Sequence, residues 1–97
     1  MKRITAIIKP FKLDAAIEAL KGQAVEQLLI REVRGYGRQK GHLELYQGTE
    51  YEITFLPKVR LECWVPATAA ESVVEALLEA CRTGRIGDGK IFIQDGD

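Results

Sequence analysis

The sequence is poor in the residues that do chemistry in small enzymes. It carries one histidine, His42, and two cysteines, Cys63 and Cys81, in 97 residues. No Ser/His/Asp or Cys/His grouping can be assembled from it, and the acidic residues nearest His42 (Glu44, Glu50 and Glu52) are spaced like solvated loop charges. A binding protein is expected, not an enzyme. The cysteines lack metal-ligand spacing and fall in segments that read as strand and helix, so they are expected to be reduced core thiols of a cytoplasmic protein. Charge of either sign is not in excess: 14 basic and 14 acidic side chains leave a formal net charge of zero. Bulk electrostatics therefore give no reason to expect nucleic acid or an anionic membrane surface. Long apolar runs are missing too. The opening MKRITAIIKP has two positive charges, but its apolar run is too short for a signal peptide or a membrane span. What remains is the expectation of a soluble intracellular chain with a single domain over residues 1–97 and one modest core of the kind often reinforced by oligomerisation.

Two apolar patterns alternate along that chain. Ile4, Ala6 and Ile8 share one parity within Lys2–Lys9, with Ile7 on the other, which predicts a mostly buried strand that Pro10 stops. Leu13, Ala16, Ile17 and Leu20 recur at helical spacing, and Gly22 ends that helix. Leu28–Val33 reads as a second strand. Val59, Leu61, Cys63 and Val65 alternate with Arg60, Glu62 and Trp64 in a third, closed by Pro66. Thr68 and Glu71 form a capping-box pattern ahead of the stripe Val73, Val74, Leu77, Leu78 and Cys81. Arg82 in the last turn suits the helix dipole, Gly84 suits a left-handed cap, and Lys90–Gln94 is a last strand. The order strand, helix, strand, loop, strand, helix, strand predicts an α+β fold, the ferredoxin-like βαββαβ sandwich, with both helices on one face of an antiparallel sheet. Its other face, with Ile7, Leu29 and Trp64, is then uncovered and predicts a homo-oligomer.

The stretch from Arg34 to Lys58 shows neither period. It is glycine-rich at its start (Gly35, Gly37, Gly41), flanked by Arg31, Arg34, Arg38, Lys40, Lys58 and Arg60, and longer than the roughly 12–15 residues above which a loop is usually functional or disordered. A second glycine-rich stretch, Thr83–Lys90, fits the letters G-x-x-x-x-G-K between Gly84 and Lys90. A phosphate-binding P-loop follows a strand and opens a helix. Here the order is reversed, and Ile91 stands where the magnesium-binding Ser or Thr belongs. A glycine-rich turn remains, able to act as an anion nest with Arg85 and Lys90 beside it. Arg34-Gly35-Tyr36-Gly37 opens like the aromatic signature of the RNA-recognition motif, but Arg38 and Gln39 break the match and the segment ends the second strand, where that signature belongs on the third.

Over nearly its whole length the chain resembles the PII nitrogen-regulatory signal proteins: ITAIIKPFKLD from Ile4, then GYGRQKGHLELYQGTEY, FLPKV and TGRIGDGKIFI. The resemblance implies a homotrimer of ferredoxin-like subunits with a long T-loop between strands 2 and 3. It also implies intersubunit clefts that bind ATP or ADP competitively, and 2-oxoglutarate bound beside magnesium and ATP, which changes the T-loop and hence the choice among regulated enzymes or transporters. By the same resemblance Gln39 would ligate the magnesium and Lys58 would pair with a carboxylate of 2-oxoglutarate. Gly35, Gly37 and Arg38 would line the nucleotide side of the loop base, and Gly87, Asp88, Gly89 and Lys90 would hold the phosphates. Tyr51 matches the tyrosine that a uridylyltransferase modifies in many bacterial members.

Three positions depart from the family pattern. Members usually continue past the last strand into a segment with two arginines that reach the nucleotide phosphates; this sequence ends at Asp97, which lowers the nucleotide affinity expected of it. Leu29 replaces a threonine common near the adenine, and Gln47 replaces the arginine by which some members plug ammonium channels. These departures keep a PII-like paralogue in view, one that binds adenine nucleotide with a different second ligand, for example in inorganic-carbon regulation. An RNA-binding module and a small enzyme are more distant alternatives.

Overall fold

The computed structural model describes residues 1–37, 54–84 and 89–96. Strand β1 (Lys2–Ile8) leads through a 3-10 turn at Pro10–Lys12 into helix α1 (Leu13–Leu20). Strands β2 (Gln27–Gly37) and β3 (Thr54–Val65) follow, then a second 3-10 turn at Ala67–Ala69, helix α2 (Ala70–Cys81) and strand β4 (Gly89–Asp95). The sheet is antiparallel throughout with the order β2-β3-β1-β4. This is the ferredoxin-like arrangement that the alternation of periods predicts.

The register explains the burial. Ile4, Ala6 and Ile8 pair with Cys63, Leu61 and Val59, and paired residues share a face of the sheet. Those side chains and Val65 pack with Ala16 and Leu20 of α1 and with Ala70, Val73, Leu77 and Cys81 of α2 in one apolar cluster. The helices cover the two central strands. Ile30 on β2 and Ile93 on β4 face the same side but stay 40% and 50% exposed, because they lie on the edge strands. Both cysteines are free and buried, and burial pushes the Cys63 thiol up to about 11.

Two expectations are corrected. Arg34–Gly37 and Thr54–Lys58 belong to strands, not to the loop, and residues 38–53 lie outside the described residues. The two segments pair with each other, Arg34 with Pro57 through Gly37 with Thr54, beyond the point where β1 ends opposite Val59. With no third strand there among the described residues, no alternating apolar pattern is imposed. For the same reason Pro57 can sit in β3, since its missing N–H has no neighbour to serve on the β1 side. The capping box does not form either. Thr68 lies inside the 3-10 turn, α2 begins at Ala70, and Ala69 at its N-cap makes no side-chain capping bond. At the other end, Arg82 is the extended C-cap, its N–H donating to the Leu78 carbonyl at 3.1 Å. Gly84 takes the left-handed conformation, with φ of 78°.

Candidate functional site

The described members of the expected ligand set gather at one end of the sheet. β1 ends at Ile8, flanked by Val59 of β3 on one side and Gly89 of β4 on the other. Lys58 is the residue before Val59 and pairs with Val33, while Lys90 pairs with Ile7. Parity puts Lys58 and Lys90 on the sheet face opposite the helices. Gly35 and Gly37 lie further along the ribbon that β2 and β3 make past this end, opposite Leu56 and Thr54. Arg38, Gln39, Tyr51, Gly87 and Asp88 lie outside the described residues.

A cleft of about 520 Å3 opens beside Lys58, lined by Pro10, Glu32, Val33, Arg34, Pro57 and Val59 as well. Its volume falls within the roughly 300–1,000 Å3 of small-molecule sites. Pro10 contributes because the 3-10 turn starts directly after β1, and Glu32 and Arg34 because β2 runs past the same end. The sequence pattern puts Arg34 at the loop base and assigns no site role to Glu32 or Pro10. Glu32 sits on the parity of Leu28 and Ile30, a position where an apolar residue would continue the strand's core face; that break in pattern was the available signal. The lining brings the cations of Lys58 and Arg34, which stand on opposite parities of the two strands, together with the Glu32 carboxylate, so a carboxylate or phosphate there meets both signs of charge.

Gly89 has a structural requirement of its own. Its φ is +131°, and a Cβ built there would stand 1.9 Å from the Ile7 carbonyl oxygen. The glycine is thus needed for the close approach of β4 to β1, whether or not a ligand lies against it. Behind it, on the helix side, a small cleft of about 110 Å3 is bounded by Ile8, Leu77, Leu78, Cys81 and Arg82. Desolvation raises the pKa of the Cys81 thiol, against a smaller opposite pull from Lys12. Among the described residues no three His, Cys, Asp or Glu side chains are grouped to hold a metal ion.

The family model for nitrogen regulatory protein P-II matches residues 1–96. The chain belongs to the P-II family. It is 55% identical over 93 residues to the nitrogen regulatory protein P-II of Haemophilus influenzae, an alignment covering 96% of this chain and 83% of that one. The P-II protein of Rhizobium meliloti is 54% identical over 95 residues, covering 98% and 85%. P-II 1 of Escherichia coli K12 is 52% identical over the same length and shares. P-II proteins are regulatory signalling proteins that act on partner proteins, so family membership supports a role in nitrogen signal transduction for this chain. No helix among the described residues is long and apolar enough to cross a membrane.

Proposed function

We propose that this chain is a P-II sensor that binds ATP or ADP and 2-oxoglutarate and regulates nitrogen-metabolism partners through the segment 38–53, the T-loop of the family resemblance. The observation that carries this reading is the convergence of Lys58 with Gly89 and Lys90 at one end of the sheet, beside a cleft of ligand size, with Gly35 and Gly37 on the ribbon leading away from it. In this reading Lys58 receives a carboxylate of 2-oxoglutarate and Lys90, with Gly87, Asp88 and Gly89, holds the nucleotide phosphates. Gln39 ligates the magnesium that joins the two ligands, and Arg38 lines the nucleotide side. Tyr51 is the acceptor for uridylylation.

The sheet face opposite the helices is the surface for trimer formation. The register puts Ile7, Leu29, Trp64 and Phe92 on that one face, and Leu29 and Phe92 are 36% and 48% exposed. Apolar side chains grouped on a face that the chain itself leaves uncovered favour a second copy as the cover. The sensor works by mass action: 2-oxoglutarate redirects partner choice only to the extent that it binds one state of the segment better than another.

A calorimetric titration of ATP with magnesium, repeated with 2-oxoglutarate present, tests the proposal. Nucleotide binding that tightens with 2-oxoglutarate is the expected result. Binding that ignores 2-oxoglutarate would move the assignment to a paralogue with another second ligand, the reading that Leu29 on the open face favours. Absence of nucleotide binding would refute both.

A further inference from the structure

Three buried side-chain polar atoms have no hydrogen-bond partner among the described residues: Arg3 Nε, Thr5 Oγ1 and Arg60 Nε. All three belong to the sheet face opposite the helices. Thr5 stands opposite Glu62 on β3 and Phe92 on β4; Arg3 is two residues before it on β1, and Arg60 is two before Glu62 on β3. Buried polar atoms are nearly always satisfied, so the orphans call for an explanation, above all Thr5 Oγ1 and Arg60 Nε, whose residues line one cleft. An arginine Nε can only donate, and a threonine hydroxyl can donate, so the missing element is an acceptor.

The space for it is present. A cleft of about 220 Å3 is lined by Thr5, Ile7, Arg60, Phe92 and Gln94. Thr5 is only 5% exposed, so its hydroxyl can find a partner there or nowhere. Gln94 Oε1 already accepts from the Arg3 guanidinium, which leaves the Gln94 amide N–H groups as further donors. Glu62 does not fill the role: its Oε2 takes a long 3.5 Å contact from an Arg60 terminal nitrogen and leaves Nε without an acceptor.

The charge on this face argues the same way. The register puts Arg31 directly opposite Arg60, and Arg3 and Lys90 on the same face, while Glu62 is the one acidic strand residue there among the described residues. Like charges directly opposite each other are unfavourable. Covering the face with a second copy of itself would add more cations than carboxylates. We infer that the cleft between Thr5, Arg60 and Gln94 binds a small oxyanion, a carboxylate or inorganic phosphate, which neutralises this face and stabilises the assembled protein. None of these residues belongs to the nucleotide and 2-oxoglutarate set proposed above, and the site does not depend on that assignment.

The test is thermal unfolding of the full chain in inorganic phosphate, and separately in acetate, each against chloride at equal ionic strength. One of the oxyanions should raise the midpoint by about 5–10 °C for each tenfold excess over its dissociation constant. Thr5→Val, which keeps the shape and deletes the hydroxyl, and Arg60→Gln should each abolish most of that rise. Lys90→Ala should leave it intact, which separates this site from phosphate bound at the nucleotide cleft. Thr5→Val also guards against misfolding, since losing an unpartnered buried hydroxyl should not lower the midpoint in chloride. Equal midpoints in oxyanion and chloride would overturn the inference. So would an oxyanion effect that survives Thr5→Val, or that vanishes in Lys90→Ala alone. An anion-independent oligomer that Thr5→Val weakens would overturn it as well, by showing that a carboxylate of a second copy fills the cleft.

Discussion

The backbone of Gly89 lies so close to that of Ile7 that a methyl group on Gly89 would stand 1.9 Å from the Ile7 carbonyl oxygen. Since φ at Gly89 is +131°, an alanine there meets both a steric clash and a backbone region reserved for glycine. Gly89→Ala should cost about 2–4 kcal/mol. Urea unfolding followed by the fluorescence of Trp64, the chain's single tryptophan, measures it. A loss below about 0.5 kcal/mol, the range of neutral surface changes, would mean that β4 can move away from β1 without penalty.

Lys58 is the described residue on which the 2-oxoglutarate reading rests most directly. Lys58→Ala should weaken 2-oxoglutarate by roughly tenfold to a hundredfold, the equivalent of one charge-assisted contact. Unchanged 2-oxoglutarate affinity in calorimetry would remove Lys58 from the site.

The open sheet face gives a prediction about mass. Leu29 is 36% exposed on an edge strand, so a charge there is cheap in a monomer and costly in an apolar interface. Sedimentation equilibrium of the native chain should return three times the monomer mass, and Leu29→Glu should lower it with the circular dichroism spectrum kept. A trimer indifferent to Leu29→Glu would place the interface elsewhere.

Cys63 sets an alkaline limit. Burial holds its thiol pKa at about 11 against 9.0 for the ordinary group. Between those values the folded state keeps a proton that the unfolded state has lost, so stability is full below pH 9 and falls as pH rises toward 11. The loss amounts to on the order of 2 kcal/mol. Cys63→Ala lacks this titration, so the difference in unfolding free energy between the two proteins should shrink across that window. At pH 8 native Cys63 should also resist iodoacetamide until the chain is unfolded.

The core supplies a simple control. Leu77 is fully buried between α2 and the sheet. Leu77→Ala should cost about 2–5 kcal/mol through lost burial and the cavity left behind, measured by the same fluorescence. A much smaller cost would mean that α2 can settle into the space.

Much of this architecture is legible in the sequence because burial writes its period into the chain. Ile4, Ala6 and Ile8 alternate because β1 faces helices on one side; Val73, Leu77 and Cys81 recur because α2 lies on the sheet. The ribbon of Arg34–Gly37 and Thr54–Lys58 is not legible in that way because it runs past the end of β1, where no third strand among the described residues imposes an alternating pattern. The capping box misled for a related reason. Thr68 and Glu71 have the right spacing, but Pro66 is followed by a 3-10 turn that moves the helix start past both the threonine and Ala69. At the candidate site, the glycines and Lys58 are proposed through the family motifs, whereas the orphan donors of Arg3, Thr5 and Arg60 arise only when strands distant in sequence are laid side by side.

The strand order has one more effect, on how the domain forms. β1 and β2 come from the first half of the chain and β3 and β4 from the second, yet every hydrogen-bonded pair except β1 with β4 includes β3, and no pair joins two strands of the same half. Neither half can zip up a sheet alone, so folding must wait for distant segments to meet, a topology associated with slow, all-or-none folding. A cut between residues 38 and 53 would leave two pieces, each without a paired strand of its own and each holding the other's partners. Fragment complementation, not independent folding, is the behaviour this interleaving imposes.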